Sequence, residues 1–194
     1  MHATIHALRA ALVLSVGLLL GCGTSSNNGS DGGTDAGNGS KVEDYVPASG
    51  EIAGWTEDTS RGQAGVEAAY TVDDGVALID GALDPFVDTG KWVSMAIEYY
   101  MNGDNRIQLS LFEMQDAAGA AQIYNYLEGH PEGTPWETSD ISGADESRIA
   151  NQGAYWQIHA IKGKYLAETL TEPRSTETES VAKDFAAAVL DKLP

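Results

Sequence analysis

The sequence predicts an α+β fold, in which an antiparallel sheet of about five to seven strands carries two or three helices packed on one face. Hydrophobic and polar residues alternate over 92–101 and again over 106–114, on either side of an Asn-Gly turn signal, which predicts a β-hairpin. A second alternating pair spans 154–170 around a Lys-Gly-Lys turn. Apolar residues at helical spacing follow each hairpin. Hairpins and helices in this order favour an antiparallel sheet covered by helices.

A first helix is predicted over 73–89, because its apolar residues recur every three or four positions. A glycine and a proline interrupt this segment, so a kink or two short helices are expected. Asp80, Asp84 and Asp88 recur every four residues and would share one face of such a helix. Two interpretations of this acidic stripe stay open: a surface for a cation or a basic partner, and a solvated helix face.

Two later helices are predicted from their capping residues. Asp116 is a favourable N-cap for a helix that runs to residue 128. Thr176, with Glu179 three residues later, predicts a capping box at the start of the last helix. Shorter strands are predicted at 51–55, 66–72, 138–141 and 147–150.

The N-terminal segment has the three-part build of an export signal. Arg9 supplies positive charge, an apolar run covers residues 10–20, and the small residue Gly21 follows. This run is too short for a membrane-spanning helix, which needs about 20 apolar residues. The sequence therefore predicts a signal peptide over residues 1–21.

The motif Leu19-Leu20-Gly21-Cys22 contains the single cysteine of the chain. It resembles the lipobox of bacterial lipoprotein precursors, in which the cysteine receives lipid, palmitate included, and the chain is cut just before it. The resemblance implies cleavage between Gly21 and Cys22 and a membrane anchor on Cys22. The next residue is Gly23 and not aspartate, which favours the outer membrane under the sorting rule of such lipoproteins. The alternative is an ordinary secretory signal that happens to contain a cysteine.

Composition divides the rest of the chain into a tether and one domain. Residues 22–40 comprise the lipidated cysteine and a segment rich in Gly, Ser and Asn that has no large apolar side chain. Such a segment cannot offset its chain entropy by burial, so a flexible tether with a reach of roughly 23 Å is expected. Residues 41–194 have the size of a single globular domain.

The charge balance excludes one class of partner. The chain carries 11 basic and 29 acidic residues, for a formal net charge of −18. This excess of negative charge opposes binding to nucleic acid. It favours cationic partners, or it is simply the acidic surface of an exported protein. The predicted partners are the membrane, through the lipid on Cys22, and an unidentified protein or small molecule.

Motifs for catalysis are sparse in the sequence. It contains no HExxH, no G-x-S-x-G and no P-loop. His130 and His159, the histidines beyond the signal peptide, lack ligand spacing, so no metal and no cofactor are predicted and His159 is expected to be structural. Glu98 and Glu113 lie mid-strand as candidates for a carboxylate pair. Trp136, in a proline-containing loop, could stack on a ligand or cover the core.

The globular part resembles a family of uncharacterised bacterial lipoproteins that carry a domain of unknown function. The family has Asn-Gly where this chain has Asp80-Gly81, and Phe-Gly where it has Ala121-Gln122. Over residues 50–128, the resemblance implies a periplasm-facing module without an assigned activity. It is carried by Glu51-Ile52-Ala53-Gly54-Trp55, Ile79-Asp80-Gly81-Ala82, Leu111-Phe112-Glu113-Met114 and Asp116-Ala117-Ala118-Gly119-Ala120-Ala121-Gln122-Ile123-Tyr124.

The functional prediction is a lipid-anchored module of the bacterial cell envelope that binds a protein or a small ligand without catalysis. It would face the periplasm or the cell surface. Two alternatives stay open: a hydrolase that uses carboxylates on the sheet, and a purely structural envelope protein. The candidate ligand or partner surface consists of Asp80, Asp84, Asp88 and Trp136.

Overall fold

The protein is described by a computed structural model. The structure describes residues 40–61, 65–79, 83–129 and 135–194. The predicted cleavage and lipidation site at Gly21 and Cys22 lies outside these residues, and so do Asp80 and His130. Within the described ranges, no helix has the length and apolar character needed to cross a membrane.

One sheet organises the described part of the chain, and all its neighbouring strands are antiparallel. Its eight strands follow the order β1-β3-β4-β8-β7-β6-β5, and β2 pairs with β3 beside β1. This confirms the α+β class and both predicted hairpins. The strands are β1 (Thr56–Glu57), β2 (Glu67–Ala69), β3 (Trp92–Asn102), β4 (Asn105–Met114), β5 (Glu137–Thr138), β6 (Glu146–Asn151), β7 (Trp156–Lys162) and β8 (Tyr165–Glu172).

Four α-helices accompany the sheet in the described residues: α1 (Val72–Leu78), α2 (Asp84–Asp88), α3 (Ala117–Glu128) and α4 (Thr176–Lys192). The first predicted helix is two short ones, because Pro85 lies in the first turn of α2, where its missing N–H removes no intrahelical bond. Asp116 caps α3 as predicted, by accepting a hydrogen bond from the Gly119 amide. The N-cap of α4 is Ser175, one residue before the predicted Thr176, and its capping box is formed with Thr178 and not with Glu179.

The helices lie on both faces of the sheet, which corrects the expectation of a single covered face. Successive side chains of a strand point to opposite faces. Leu111 packs in the apolar cluster under α4, whereas Phe112 packs in the cluster under α1, α2 and α3. In the same way, Ala167 packs in the cluster under α4 and Leu166 in the cluster on the opposite face. Because the central strands are apolar on both faces, both faces must be covered.

The core under α4 is built on aromatic contacts. The Phe185 ring meets the Trp55 ring edge-on at 5.8 Å between centroids and the Tyr100 ring at 4.5 Å. Tyr100 donates a hydrogen bond from its hydroxyl to the Pro47 carbonyl. The segment 51–55 is a turn and not the predicted strand, and Trp55 at its end fills the core, with 3% of its surface exposed.

On the opposite face, α3 approaches the sheet very closely. A Cβ atom placed on Gly119 would lie 2.3 Å from the carbonyl oxygen of Gly90, so only glycine fits there. Ala120 and Ile123 of α3 are fully buried in the same cluster. This contact fixes the position of α3, whose last turns border the site described next.

Candidate functional site

A row of polar residues crosses three neighbouring strands on the face covered by α3. Arg148 on β6 is registered opposite His159 on β7, which is registered opposite Glu168 on β8. The side chains of Arg148 and His159 are 4% and 1% exposed, and that of Glu168 is 19% exposed. Cross-strand neighbours on one face are in direct contact. The register therefore places a guanidinium, an imidazole and a carboxylate in a line.

Arg148 is held between two aromatic rings. Its guanidinium carbon lies 4.0 Å from the centroid of the Tyr124 ring and 4.5 Å from that of the Trp136 ring, distances at which cation–π attraction is favourable. Nη2 donates to the Tyr124 carbonyl at 2.5 Å, and Nη1 lies 3.6 Å from Oε2 of Glu128. Both partners belong to the last turns of α3, where the helix dipole favours a cation.

The hydrogen bonds of His159 define its tautomer. Nη2 of Arg148 lies 3.2 Å from Nδ1 of His159, and arginine can only donate. Nδ1 therefore accepts, and the ring proton lies on Nε2, which donates to Oε2 of Glu168 at 2.7 Å. Trp136 packs over the imidazole, with 4.4 Å between the ring centroids.

Burial and hydrogen bonding act in opposite directions on the pKa of Glu168. Burial raises this pKa, but the hydrogen bonds donated by His159 and Gln157 outweigh it, so the pKa lies below its ordinary value. Burial also lowers the pKa of the Arg148 guanidinium and raises that of the Tyr124 hydroxyl. The row thus places an imidazole between a buried guanidinium and a carboxylate.

The polar row is arranged for structure and not for proton transfer. Both ring nitrogens of His159 are engaged, Nδ1 by Arg148 and Nε2 by Glu168, so neither is placed to take a proton from a substrate. This arrangement agrees with the structural role expected for His159. Among the described residues, no cluster of three His, Cys, Asp or Glu side chains could hold a metal ion.

Glu98 and Glu113 do not form a carboxylate pair. Glu98 is registered opposite Leu109, and Glu113 lies four residues further along β4. At the rise of an extended strand, this spacing separates the two by about 14 Å, well beyond the carboxylate separations of glycosidases. Glu98 is buried and its pKa is raised, first by burial and then by the charges of Glu57 and Glu67.

A pocket of about 400 Å³ opens beside Arg148, between the end of α3, strand β5 and strand β6. We call it the Arg148 pocket. Its volume falls within the range of small-molecule sites, about 300–1,000 Å³. Arg148 is the basic residue among its described lining residues. Five exposed carboxylates also line it: Glu128, Glu137, Asp140, Asp145 and Glu146.

Several buried polar atoms of this lining have no hydrogen-bond partner among the described residues. They are Nε and Nη1 of Arg148, Nε1 of Trp136 and Oγ of Ser139. Trp92 has a similar unbonded indole nitrogen, but it is absent from the described pocket lining. Buried polar groups are normally bonded, so their accumulation at one pocket marks it as a candidate ligand site.

Of the predicted surface residues that the structure describes, Trp136 alone lines this pocket. Trp136 also packs against Arg148 and His159, and the interpretation that it stacks on a ligand stays a prediction. Asp84 and Asp88 are exposed at the two ends of α2, and they are not among the lining residues. Asp80 lies outside the described residues, so the acidic stripe as a cation or partner surface stays a prediction.

Arg148 and Glu168 were not predicted as site residues. A partial signal existed, because His159 lies between Ile158 and Ala160, and Glu168 directly follows the apolar run 165–167. Without the strand register, nothing in the sequence shows that Arg148, His159 and Glu168 lie side by side.

The comparisons with known proteins give no family. No protein-family model matches the chain, and no curated protein matches it either, so the family resemblance over residues 50–128 stays a prediction. The extracellular domain of PknH from Mycobacterium tuberculosis is similar with a TM-score of 0.40 and 9% identity, over 72% of this chain and 82% of that one. An uncharacterized protein from Mycobacterium smegmatis, the Rv0999 ortholog, is similar with a TM-score of 0.34 and 13% identity, over 71% and 83%.

Replacing Glu168 by glutamine is expected to lower the free energy of unfolding at pH 7 by about 1–3 kcal/mol, since hydrogen bonds to a charged group are lost. A carboxyl whose pKa is lowered by folding adds stability above its ordinary value of 4.5, and that stability is lost as the pH falls through the folded pKa. The difference between the wild type and Glu168→Gln should therefore shrink at acid pH. Denaturant unfolding at pH 7 and pH 3 measures it.

Glu98→Gln is the matched control, because folding raises the pKa of Glu98. An ionised carboxylate at this position opposes folding, so the variant should be more stable than the wild type at pH 7. That gain should fade as the pH falls through the raised folded pKa toward 4.5, and it should be gone below about 4.5, where the carboxyl is protonated in both states. A change of the same sign for both variants at pH 7 would contradict the assigned pKa directions.

Proposed function

We propose that the protein is a lipid-anchored module of the bacterial cell envelope that binds a small polar ligand in the Arg148 pocket without transforming it. The anchor is supported by the Leu19-Leu20-Gly21-Cys22 motif and by the polar segment that follows it. The binding role is supported by one observation above all: a pocket of ligand size whose lining gathers buried polar atoms without partners.

The engagement of both ring nitrogens of His159 supports binding over catalysis by a histidine base. A general base must be within hydrogen-bond reach of the proton it removes. In this structure the imidazole of His159 is enclosed by Arg148, Glu168 and the Trp136 ring. It holds Arg148 in place and leaves no free nitrogen for a substrate.

A hydrolase is the second candidate, and the five carboxylates of the pocket lining favour it. Two carboxylates at a suitable separation suffice for acid and base catalysis of glycoside cleavage. The two candidates differ in what happens to the bound molecule, because a binding module returns it unchanged. Mass spectrometry of every ligand recovered from the protein distinguishes them.

Blocking the pocket is expected to abolish ligand binding. Thr138 lines the pocket from the exposed strand β5, so Thr138→Trp would fill part of the pocket without disturbing the core. Thr56 is also an exposed threonine in a two-residue edge strand, β1, and it is not among the lining residues. Thr56→Trp is therefore the matched control.

The test uses the full chain with Cys22→Ser, which keeps it in solution, and chemical-shift changes of backbone amides as the readout. The probes are amino acids, dipeptides, polyamines, monosaccharides and inorganic phosphate. We expect at least one class to shift amides of α3 and β6, with this response lost in Thr138→Trp and kept in Thr56→Trp. Failure of every class to bind, or binding that survives Thr138→Trp, would refute the proposed site.

A further inference from the structure

We infer that the Arg148 pocket takes a zwitterionic ligand of amino-acid or dipeptide type. Its carboxylate would lie toward Arg148, Trp136 and Ser139, and its ammonium group toward the acidic rim. This ligand class rests on the proposed function, to which it adds the chemistry that the ligand must have at each end.

The position of the ligand carboxylate is inferred from the hydrogen-bond donors of the pocket that have no partner. The guanidinium of Arg148 and the indole of Trp136 can only donate hydrogen bonds, and the hydroxyl of Ser139 can donate as well. All three hold buried atoms without an acceptor among the described residues. A carboxylate offers several acceptor sites on two oxygens and pairs strongly with arginine. A ligand carboxylate would therefore supply the acceptors that the lining lacks.

Access to Arg148 is controlled by Glu128. Its Oε2 lies 3.6 Å from Nη1 of Arg148, beyond hydrogen-bond distance, and its side chain is 62% exposed. Because the Glu128 side chain is exposed and no hydrogen bond holds it to Arg148, Glu128 can turn outward into water when a ligand carboxylate approaches. The guanidinium itself stays fixed, because the rings of Tyr124 and Trp136 both contact it.

The position of the ligand ammonium group is inferred from the exposed carboxylates that form the rim of the pocket. Glu137, Asp140, Asp145 and Glu146 all line the pocket and are exposed, and the whole chain has a formal net charge of −18. A ligand with negative charge alone would be repelled by this field. A ligand that also carries an ammonium group is attracted to the rim while its carboxylate reaches Arg148. The volume of about 400 Å³ is sufficient for a molecule the size of a dipeptide.

Three forms of one dipeptide test the contributions of the ligand's ammonium group and its carboxylate separately. The probes are alanyl-alanine, its N-acetyl derivative without the ammonium group, and its C-terminal amide without the carboxylate. Titration calorimetry with the full chain carrying Cys22→Ser measures each affinity. We expect the unmodified dipeptide to bind, and each blocked form to bind about ten-fold more weakly or worse, because each loses a charged partner.

A pair of tryptophan variants tests the carboxylate end. Trp136→Phe removes an indole N–H from the pocket and keeps an aromatic ring over Arg148. Trp92→Phe is the control, because the indole N–H of Trp92 also lacks a partner but Trp92 is not among the described residues that line the pocket. We expect Trp136→Phe to weaken binding of the unmodified dipeptide by about three- to ten-fold, with a smaller effect on the amide. Trp92→Phe should leave both affinities unchanged.

If Trp136→Phe does not fold, Ser139→Ala removes another unpartnered donor and should likewise reduce the preference for the free carboxylate. Equal binding of the dipeptide and either blocked form would overturn the zwitterionic ligand. So would binding of polyamine, sugar or phosphate without binding of the dipeptide, and in that case the proposed function survives. Failure of all these probes would overturn both.

Discussion

Replacing Cys22 by serine is expected to move essentially all of the protein from the membrane fraction to the soluble fraction. The lipobox resemblance implies three acyl chains on this residue. One acyl chain gives only reversible membrane binding, with an association constant of about 10⁴ M⁻¹, whereas two already give stable anchoring. Serine has no thiol to receive the lipid. This single substitution would therefore remove the whole contribution of the acyl chains to membrane binding.

The measurement is membrane fractionation followed by intact mass spectrometry. The native product should begin at Cys22 and carry acyl mass, and Cys22→Ser should carry none. Ser26→Ala, a substitution in the tether that leaves the motif intact, should behave as the wild type. Retention of Cys22→Ser in the membrane pellet, or a native mass without lipid, would show that the anchor is assigned incorrectly.

Replacing Gly119 by alanine is expected to lower the free energy of unfolding by about 3 kcal/mol. In a helix, alanine is ordinarily favoured over glycine by about 1 kcal/mol, so intrinsic propensity predicts the opposite sign. The added Cβ would lie 2.3 Å from the Gly90 carbonyl oxygen and 3.3 Å from Cβ of Met114. Because a backbone atom is in the way, α3 must move away from the sheet.

Thermal unfolding of the full chain with Cys22→Ser measures this effect, and the melting temperature should fall by roughly 6–12 °C. Gly129, at the end of the same helix, would meet nothing closer than 3.6 Å, so Gly129→Ala should be nearly neutral. Because Tyr124 and Glu128 lie on α3, Gly119→Ala should also weaken ligand binding. Equal stability of the two variants would rule out the close approach of α3 to Gly90.

The elements that the sequence predicted well depend on local patterns. The turn at Gly103 and the alternation around it define the β3–β4 hairpin, because a hairpin pairs residues that are close in sequence. The ends of α3 follow from the cap at Asp116. The break between α1 and α2 follows from Pro85 in the same way.

The elements that could not be predicted depend on contacts between distant segments. Whether one or both faces of the sheet are covered depends on where each helix packs, which no local pattern encodes. Arg148 reaches Tyr124 across 24 positions of sequence, and its contact with Glu168 through His159 requires the register of three strands. Trp136 was identified because a tryptophan in a loop is conspicuous, whereas a buried arginine in a short strand is not.

The outer strands of the described sheet are short, with two residues in β1, three in β2 and two in β5, and this has a consequence if the proposed anchor crowds copies on one membrane. Long unpaired edges are templates on which neighbouring molecules polymerise, and short acidic ones are poor templates. Glu57 and Glu137 stand on these two edges. Copies tethered side by side in one leaflet would thus repel each other at the positions where intermolecular β-sheet growth would begin.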